Sequence, residues 1–427
     1  MAKDKNKQNA DNATDVKKKN ILDTLGSLFN PEPQKEKVLR HEDFNGAGDV
    51  YYATVSVGFK ITQRVIVLIL ALFLIISFAT NFREITYENF FYLVKDFSSA
   101  FEIETTVYET LSYDSDSRHF FALYRGGLTV VNPSNLSVFT ATGRRTIKTA
   151  SKFSSPCIVS SDKYFVIYDT AGTEMVIYNS FSRIYKETFE YPISGAAFDG
   201  DGNLAVITRD TDHKSMVHVY NDNFKKMFTV PSSTKYAFDV AMSSESDCLA
   251  VAYYGIGDGS GRTEIVFYSV SQAKEIANLT VDGEFLLDCG FVSKELFAVV
   301  TNRSVRLYDK QFEELEAYDL ENGVVSGFCI NEFGVAVSYT VNSSNNAIVF
   351  DSKGNVKYDE SINDNIRAIS VFEEFVFLRT DTGVLRVEMR TLEDEFLTSG
   401  QGKMLIYSAD TALVCGDSRA EYLVFGD

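Results

Sequence analysis

A run of strand-forming residues closed by an aromatic returns along this chain at a nearly constant interval, and few folds accommodate that. The copies are VIY at 176–178, VHVY at 217–220, IVFY at 265–268, VRLY at 305–308 and AIVF at 347–350. Their ends lie about 40 to 48 residues apart, the period of a four-stranded propeller blade. From residue 101 onward, short runs of Val, Ile, Phe, Tyr and Thr alternate with turns of Gly, Asp, Asn and Ser, the pattern of successive hairpins. Weaker copies, LTVV at 128–131, VLRV at 384–387 and YLVF at 422–425, extend the series in both directions.

A second marker keeps phase with the first. Cys157, Ala196, Ala241, Cys289 and Gly327 each precede an apolar run by about eight residues, the runs beginning at Phe165, Leu204, Leu249, Phe297 and Val335. Blades converge on an axis, so a small residue suits the crowded inner strand. The expectation is an all-β propeller of eight four-stranded blades over residues 101–427, with seven blades as the alternative. The last unit stops after a third strand containing Tyr422 and Val424. FEIETTV at 101–107, through Phe101, Ile103 and Val107, is expected to supply the missing outer strand and close the ring, which removes two exposed sheet edges.

Ahead of the repeats lies VIVLILALFLIISFATNF at 65–82, uncharged and about 27 Å long as a helix, close to the roughly 30 Å hydrocarbon core of a bilayer. A single transmembrane helix is expected over 61–82. Lys60 and Arg64 precede the apolar run and further lysines lie upstream, so the positive-inside rule puts the amino terminus in the cytoplasm and the propeller outside the cell membrane. A cleaved signal peptide is the rival reading, but such apolar segments begin close to the start of a chain. Residues 1–60 read as a disordered tail and linker, too polar at 1–20 to bury a core. Tyr87, Phe90, Phe91, Val94 and Phe97 fall at helical spacing and predict a juxtamembrane helix within 83–100.

The formal net charge is -18, while the first 64 residues carry slightly more Lys and Arg than Asp and Glu. The acidic excess therefore belongs to the later part of the chain, where it repels phosphate backbones and excludes nucleic acid as a partner. Cys157, Cys248, Cys289, Cys329 and Cys415 form no close pair, so they are expected as small buried hydrophobes rather than a disulfide framework.

Local motifs point to no chemistry. GIGDGSGR at 255–262 lacks the GK[ST] ending and the helix that a phosphate loop needs, and is expected to be a hairpin. DGDGN at 199–203 lacks the distant Glu of a calcium loop and suits a tight turn. His119, His213 and His218 build no metal or triad spacing, and the basic stretch at 141–152 reads as a connection between blades. No catalytic residue, cofactor or metal is assigned. The chain has no Trp, so the Trp-bearing blade motifs of other eight-bladed families are missing.

ENFFYLVKDF following a single anchor, then FALYRGGLTVVN, YDTAGTEMVIYNSFS, FEYPISGAAFDGDGNLAVITRD and VHVYNDNF in order, resemble a membrane-anchored family of Gram-positive, Clostridia-type bacteria catalogued as domain of unknown function 5711. The resemblance implies a membrane placement and a propeller, and carries no site residue. Two functions are compatible with it. One is an envelope scaffold or sensor that binds a protein or cell-wall partner; the other is an extracellular hydrolase or lyase working at the mouth of the central channel. Convergent acids, Arg and Tyr in a funnel would mark the enzyme, and a flat or plugged mouth the scaffold. Sparse histidines and unmatched catalytic motifs favour the binding module.

Overall fold

A computed structural model describes residues 59, 62–69, 71–72, 110–116, 118–161, 163–180, 182–244, 247–257 and 260–426. Two compact units divide the chain, Met1–Thr86 and Tyr87–Asp427. The described residues of the second form eight antiparallel sheets of four strands each, a β-propeller. Blades 1 to 7 are continuous in sequence, over 120–150, 156–188, 193–232, 236–282, 286–319, 324–362 and 366–398. Blade 8 takes three strands from 403–424 and its outer strand from Thr110–Ser112 at the other end of the domain.

In each blade the first strand lies innermost. Each inner strand touches that of the next blade all the way round, including Lys403–Ser408 of blade 8 against Phe120–Tyr124 of blade 1. The second strands are covered on both faces by neighbouring blades, so they are apolar without alternation; Leu204–Thr208 and Leu296–Thr301 are buried at every residue. Outer strands face solvent, as the mostly exposed Glu314–Asp319 does. Among the described residues the core is divided into eight clusters, each shared by two successive blades.

The aromatic that ends each strong repeat has a structural reason. Tyr178, Tyr220, Tyr268, Tyr308 and Phe350 end or nearly end the third strand of their blades, and at each the register to the outer strand shifts by a bulge. The same shift occurs at Phe139. Blade 1 therefore has Asn135–Phe139 as its third strand, and LTVV at 128–131 belongs to its second strand, Gly127–Val131. VLRV and YLVF do lie on third strands, but blade 7 pairs its outer strand without a shift, and blade 8 receives its outer strand from elsewhere. The aromatic signal is weak where the bulge is absent.

The small-residue marker needs a correction of register. All five residues lie on inner strands, yet not on one rung: Ala196 and Cys289 face the third residue of the apolar run, Ala241 faces the second, and Gly327 and Cys157 the fourth. Crowding is strongest at Gly327. A methyl group there would sit 3.0 Å from the Cα of Ala368 and 3.1 Å from the backbone nitrogen of Ile369 on the next blade. Gly327→Ala is expected to destabilise the propeller by about 1 to 3 kcal/mol through this overpacking. Gly255→Ala, where nothing lies within 4 Å of the added carbon, should stay within about 0.5 kcal/mol. Urea unfolding midpoints of the two variants check the contrast.

Ring closure joins the two ends of the domain. Thr110, Leu111 and Ser112 pair antiparallel with Glu421, Ala420 and Arg419. The Tyr113 hydroxyl donates to the Gly416 carbonyl at 2.6 Å, and the Tyr113 N–H to the Ser418 carbonyl at 3.0 Å. Tyr422 and Val424 lie on the third strand of blade 8, opposite Leu413 and Thr411. Phe101, Ile103 and Val107 lie outside the described residues.

In the first unit, residues 59, 62–69 and 71–72 are helical, and Val65, Ile66, Val67, Leu68, Ile69 and Leu72 are exposed. No helix among the described residues is long and apolar enough to cross a membrane. Lys60, most of the apolar run beyond Leu72, the tail before residue 59 and the segment 83–100 fall outside the described residues.

Candidate functional site

The inner strands of blades 3 to 7 share a device the sequence did not reveal. Each shifts register by a bulge near its start, between Ile193 and Gly195, Ala237 and Asp239, Leu286 and Asp288, Val325 and Gly327, and Ile366 and Ala368. The residue after the bulge is Gly or Ala in blades 3, 6 and 7, where a neighbouring inner strand comes close. In blades 4 and 5 the same place holds aspartate. Bulges re-aim side chains and are common beside functional sites.

The two carboxyls belong to one cluster. Asp239 Oδ1 accepts the Val240 N–H at 2.8 Å, and the Cys289 Sγ donates to Oδ2 at 3.7 Å. Burial pushes the Asp239 carboxyl above the usual range against these bonds. Burial first, and the Asp239 charge second, push Asp288 up to about 7. Burial and then the two carboxyl charges push up the Cys289 thiol. The next blade contributes Cys329, also pushed up by burial, with Sγ 3.6 Å from the Ser370 hydroxyl of blade 7. Thiols held in this way are poor nucleophiles, because the thiolate is the reactive form.

Two cavities open among the inner strands. One of about 450 Å³ is lined by Phe238, Asp239, Phe285, Leu287, Asp288 and Phe328. The other, about 810 Å³, is lined by blades 6 to 8 together with Ala122 and Leu123 of blade 1 and Ser160 of blade 2, and reaches Ser370, Arg367, Lys403 and Arg379. Phe328 lines both, with the acids on the smaller cavity and the cations on the larger. Arg379 is buried, donates to the carbonyls of Thr380, Gly383 and Gly400, and leaves Nε without a partner. It fastens the hairpin of blade 7 to the loop entering blade 8.

The motifs weighed in the sequence resolve into structure. DGDGN is the turn between the first two strands of blade 3, with the Asp199 carboxylate accepting from the Asn203 backbone at 2.8 Å and its side chain at 2.7 Å. GIGDGSGR joins the long strands Cys248–Gly257 and Ser260–Ser269 of blade 4. The basic stretch is not a connection alone, since Arg145–Ala150 is the outer strand of blade 1. His119 lies 2.9 Å from the Asp417 carbonyl, His213 pairs with Asp210, and His218 is buried against Thr208, its ring pulled down to about 4 by burial. All five cysteines are free. No group of three or more metal-ligating side chains occurs among the described residues.

A model of DUF5711, a family of unknown function, matches residues 100–395. The chain belongs to the DUF5711 family. The match covers Thr110–Ser112 and blades 1 to 7 as far as Glu395, so it includes both aspartates of the acidic cavity. Among proteins of curated function none matches this DUF5711 chain. Similar solved structures include Chaetomium thermophilum Sqt1 bound to the N-terminus of ribosomal protein L10, with TM-score 0.53 and 11% identity over 74% of this chain and 98% of that one. BamB from Moraxella catarrhalis gives 0.49 and 8% over 74% and 98%, and the Neurospora crassa Pan2 WD40 domain gives 0.44 and 9% over 63% and 89%.

Proposed function

We propose that this DUF5711 protein is a membrane-anchored binding module of the bacterial cell envelope, its amino terminus in the cytoplasm and its propeller outside, where it holds a protein or cell-wall partner. The observation that carries the binding role is the exposed apolar surface where the inner strands begin. Phe285 and Phe328 line the acidic cavity and are exposed, and exposed Tyr236 pairs with Tyr254, whose ring lies 6.0 Å from that of Phe285. A patch of large apolar side chains beside polar groups marks an interaction site. The anchoring part rests on the apolar run at 65–82, of which the described helical residues carry exposed Val, Ile and Leu, preceded by Arg64.

The enzyme reading has one observation in its favour, the convergence of Asp239 and Asp288. Acid and base catalysis by two carboxyls needs environments that drive them apart. Here burial drives both in the same direction. The exposed aromatic side chains beside the two carboxyls are what favours binding over hydrolysis.

Two measurements test this reading. Protease added to intact, wall-stripped cells is expected to degrade the propeller and spare the tail; a protected propeller would reverse the topology. A photo-crosslinking residue placed at Phe285 in intact cells should form a discrete adduct, and a channel mouth that captures nothing there would remove the binding role.

A further inference from the structure

The acidic cavity and the aromatic surface around it form one site. Tyr236 and Tyr254 are paired across the first two strands of blade 4. The Tyr254 ring lies 6.0 Å from that of Phe285, which in turn stacks on Phe238 at 6.4 Å. Phe285 and Phe238 line the cavity whose wall carries Asp239 and Asp288, and Phe328 closes it from blade 6. Tyr236 and Phe285 are 52% and 53% exposed, so the rim is open to a partner.

The carboxyls lack the partner their surroundings call for. Neither Asp239 nor Asp288 takes part in an ion pair among the described residues, whereas Glu264, Glu284 and Asp282 in the same two blades or the turn between them each pair with Lys or Arg. The donors that reach the two aspartates are the Val240 N–H and the Cys289 thiol and N–H. The aromatic rim suits a positive charge as well: Lys214 already stands over the Tyr236 ring, 5.0 Å from its centroid. Aromatic faces attract cations, and a buried carboxylate without a counter-charge gains most from one.

We propose that this mouth receives a lysine or arginine side chain presented by an extended segment of a protein partner, the cation entering between Phe238, Phe285 and Phe328 to meet Asp239 and Asp288. Exposed Tyr236, Tyr254 and Phe285 beside the cavity exceed what one side chain covers, and they seat the neighbouring residues of the segment. The inference rests on the binding role proposed above and adds the chemistry of the partner.

The test uses the full chain in detergent and short blocked peptides of Gly and Ser carrying one central Lys, Arg, norleucine or Glu and a distal Trp. The protein has no Trp, so peptide fluorescence is read without background. The Lys and Arg peptides are expected to bind at least about tenfold more tightly than the norleucine peptide, a difference of 1.4 kcal/mol or more. Asp239→Asn with Asp288→Asn should abolish that preference, and Phe285→Ala should weaken Lys binding severalfold while leaving the fold intact. Lysine binding should also strengthen from pH 5.5 to 8, because the cation selects the ionised form. The titratable groups facing Asp288 are Asp239 of blade 4, the adjacent Cys289 and Cys329 of blade 6; burial pushes both thiols up, and Asp288, at about 7, is the group that changes charge in that range.

Equal binding of the norleucine peptide, or unchanged Lys binding in the double variant, would overturn the inference. So would free n-butylamine matching the Lys peptide, since the occupant would then be a small amine. Adducts at Phe285 in cells combined with any of these results leave the binding role standing and remove the cation. Absence of adducts removes both.

Discussion

Replacing Leu111 with Ala is expected to destabilise the propeller by about 2 to 5 kcal/mol, the range for emptying a buried leucine site. Leu111 is 3% exposed and packs with Phe121, Leu128 and Val130 of blade 1 and with Leu413 and Ala420 of blade 8. It thus sits in the seam where the last blade meets the first. Removing the whole strand should do more. A chain beginning at Tyr113 leaves Arg419–Val424 as an unpaired edge, and open edges template aggregation. A chain beginning at Thr110 keeps the ladder. Thermal melts and the soluble yields of the two decide the matter: equal behaviour would show that Thr110–Ser112 does not close the ring. A third chain beginning at Phe101 addresses the expectation for Phe101, Ile103 and Val107, because a higher melt than the Thr110 chain would extend the closing strand toward them.

Asp288→Asn should stabilise the protein at neutral pH and above. The folded carboxyl titrates at about 7 against an ordinary value of 3.8, so the native state binds more protons than the unfolded chain between those limits. Stability from this group is therefore intact below pH 3.8 and is lost as pH rises toward 7. At 1.36 kcal/mol per decade the full loss approaches roughly 4 kcal/mol, and solvent reaching the half-buried group reduces it to about 2 to 4. Asparagine fills the same space without the charge. Wild type and variant should differ by this amount at pH 8 and converge near pH 4 in urea titrations; a constant difference across that range would rule out ionisation as the cause.

The sequence conveyed the architecture well because a propeller repeats its constraints. Tyr178, Tyr220, Tyr268, Tyr308 and Phe350 each answer the same bulge, and five copies of one physical requirement exceed chance. The shared last blade was legible from the strand that blade 8 lacks. The precise residues of closure were not, since Thr110–Ser112 is three residues long and a single exposed–buried–exposed alternation does not stand out from the chain around it. Blade 1 misled for a related reason: LTVV has the hydrophobicity of a third strand, but second strands are buried on both faces and look alike.

The candidate site was less visible. Asp239 and Asp288 are two acids in a chain with 59, and neither lies in a motif. Only the bulge, which is a backbone property, places them on one rung with Gly195, Gly327 and Ala368. Superposing the repeats by that rung would have shown acids where other blades keep almost no side chain. The aromatic rim was equally hidden, because Phe285 lies just outside a strand and meets Tyr254 and Phe238 only after blades 4 and 5 are assembled.

The clasp between Thr110–Ser112 and Arg419–Val424 also has a consequence in biosynthesis. Tyr113 and its acceptor Gly416 are 303 positions apart in the chain. Synthesis at about 5 to 20 residues per second separates their emergence by tens of seconds. During that interval seven blades can pair within themselves while the first strand waits without a partner. Such distant contacts form late and slowly. A chain released before Arg419 lacks the strand with which Thr110–Ser112 pairs, so the clasp can close only once nearly all of blade 8 has been made.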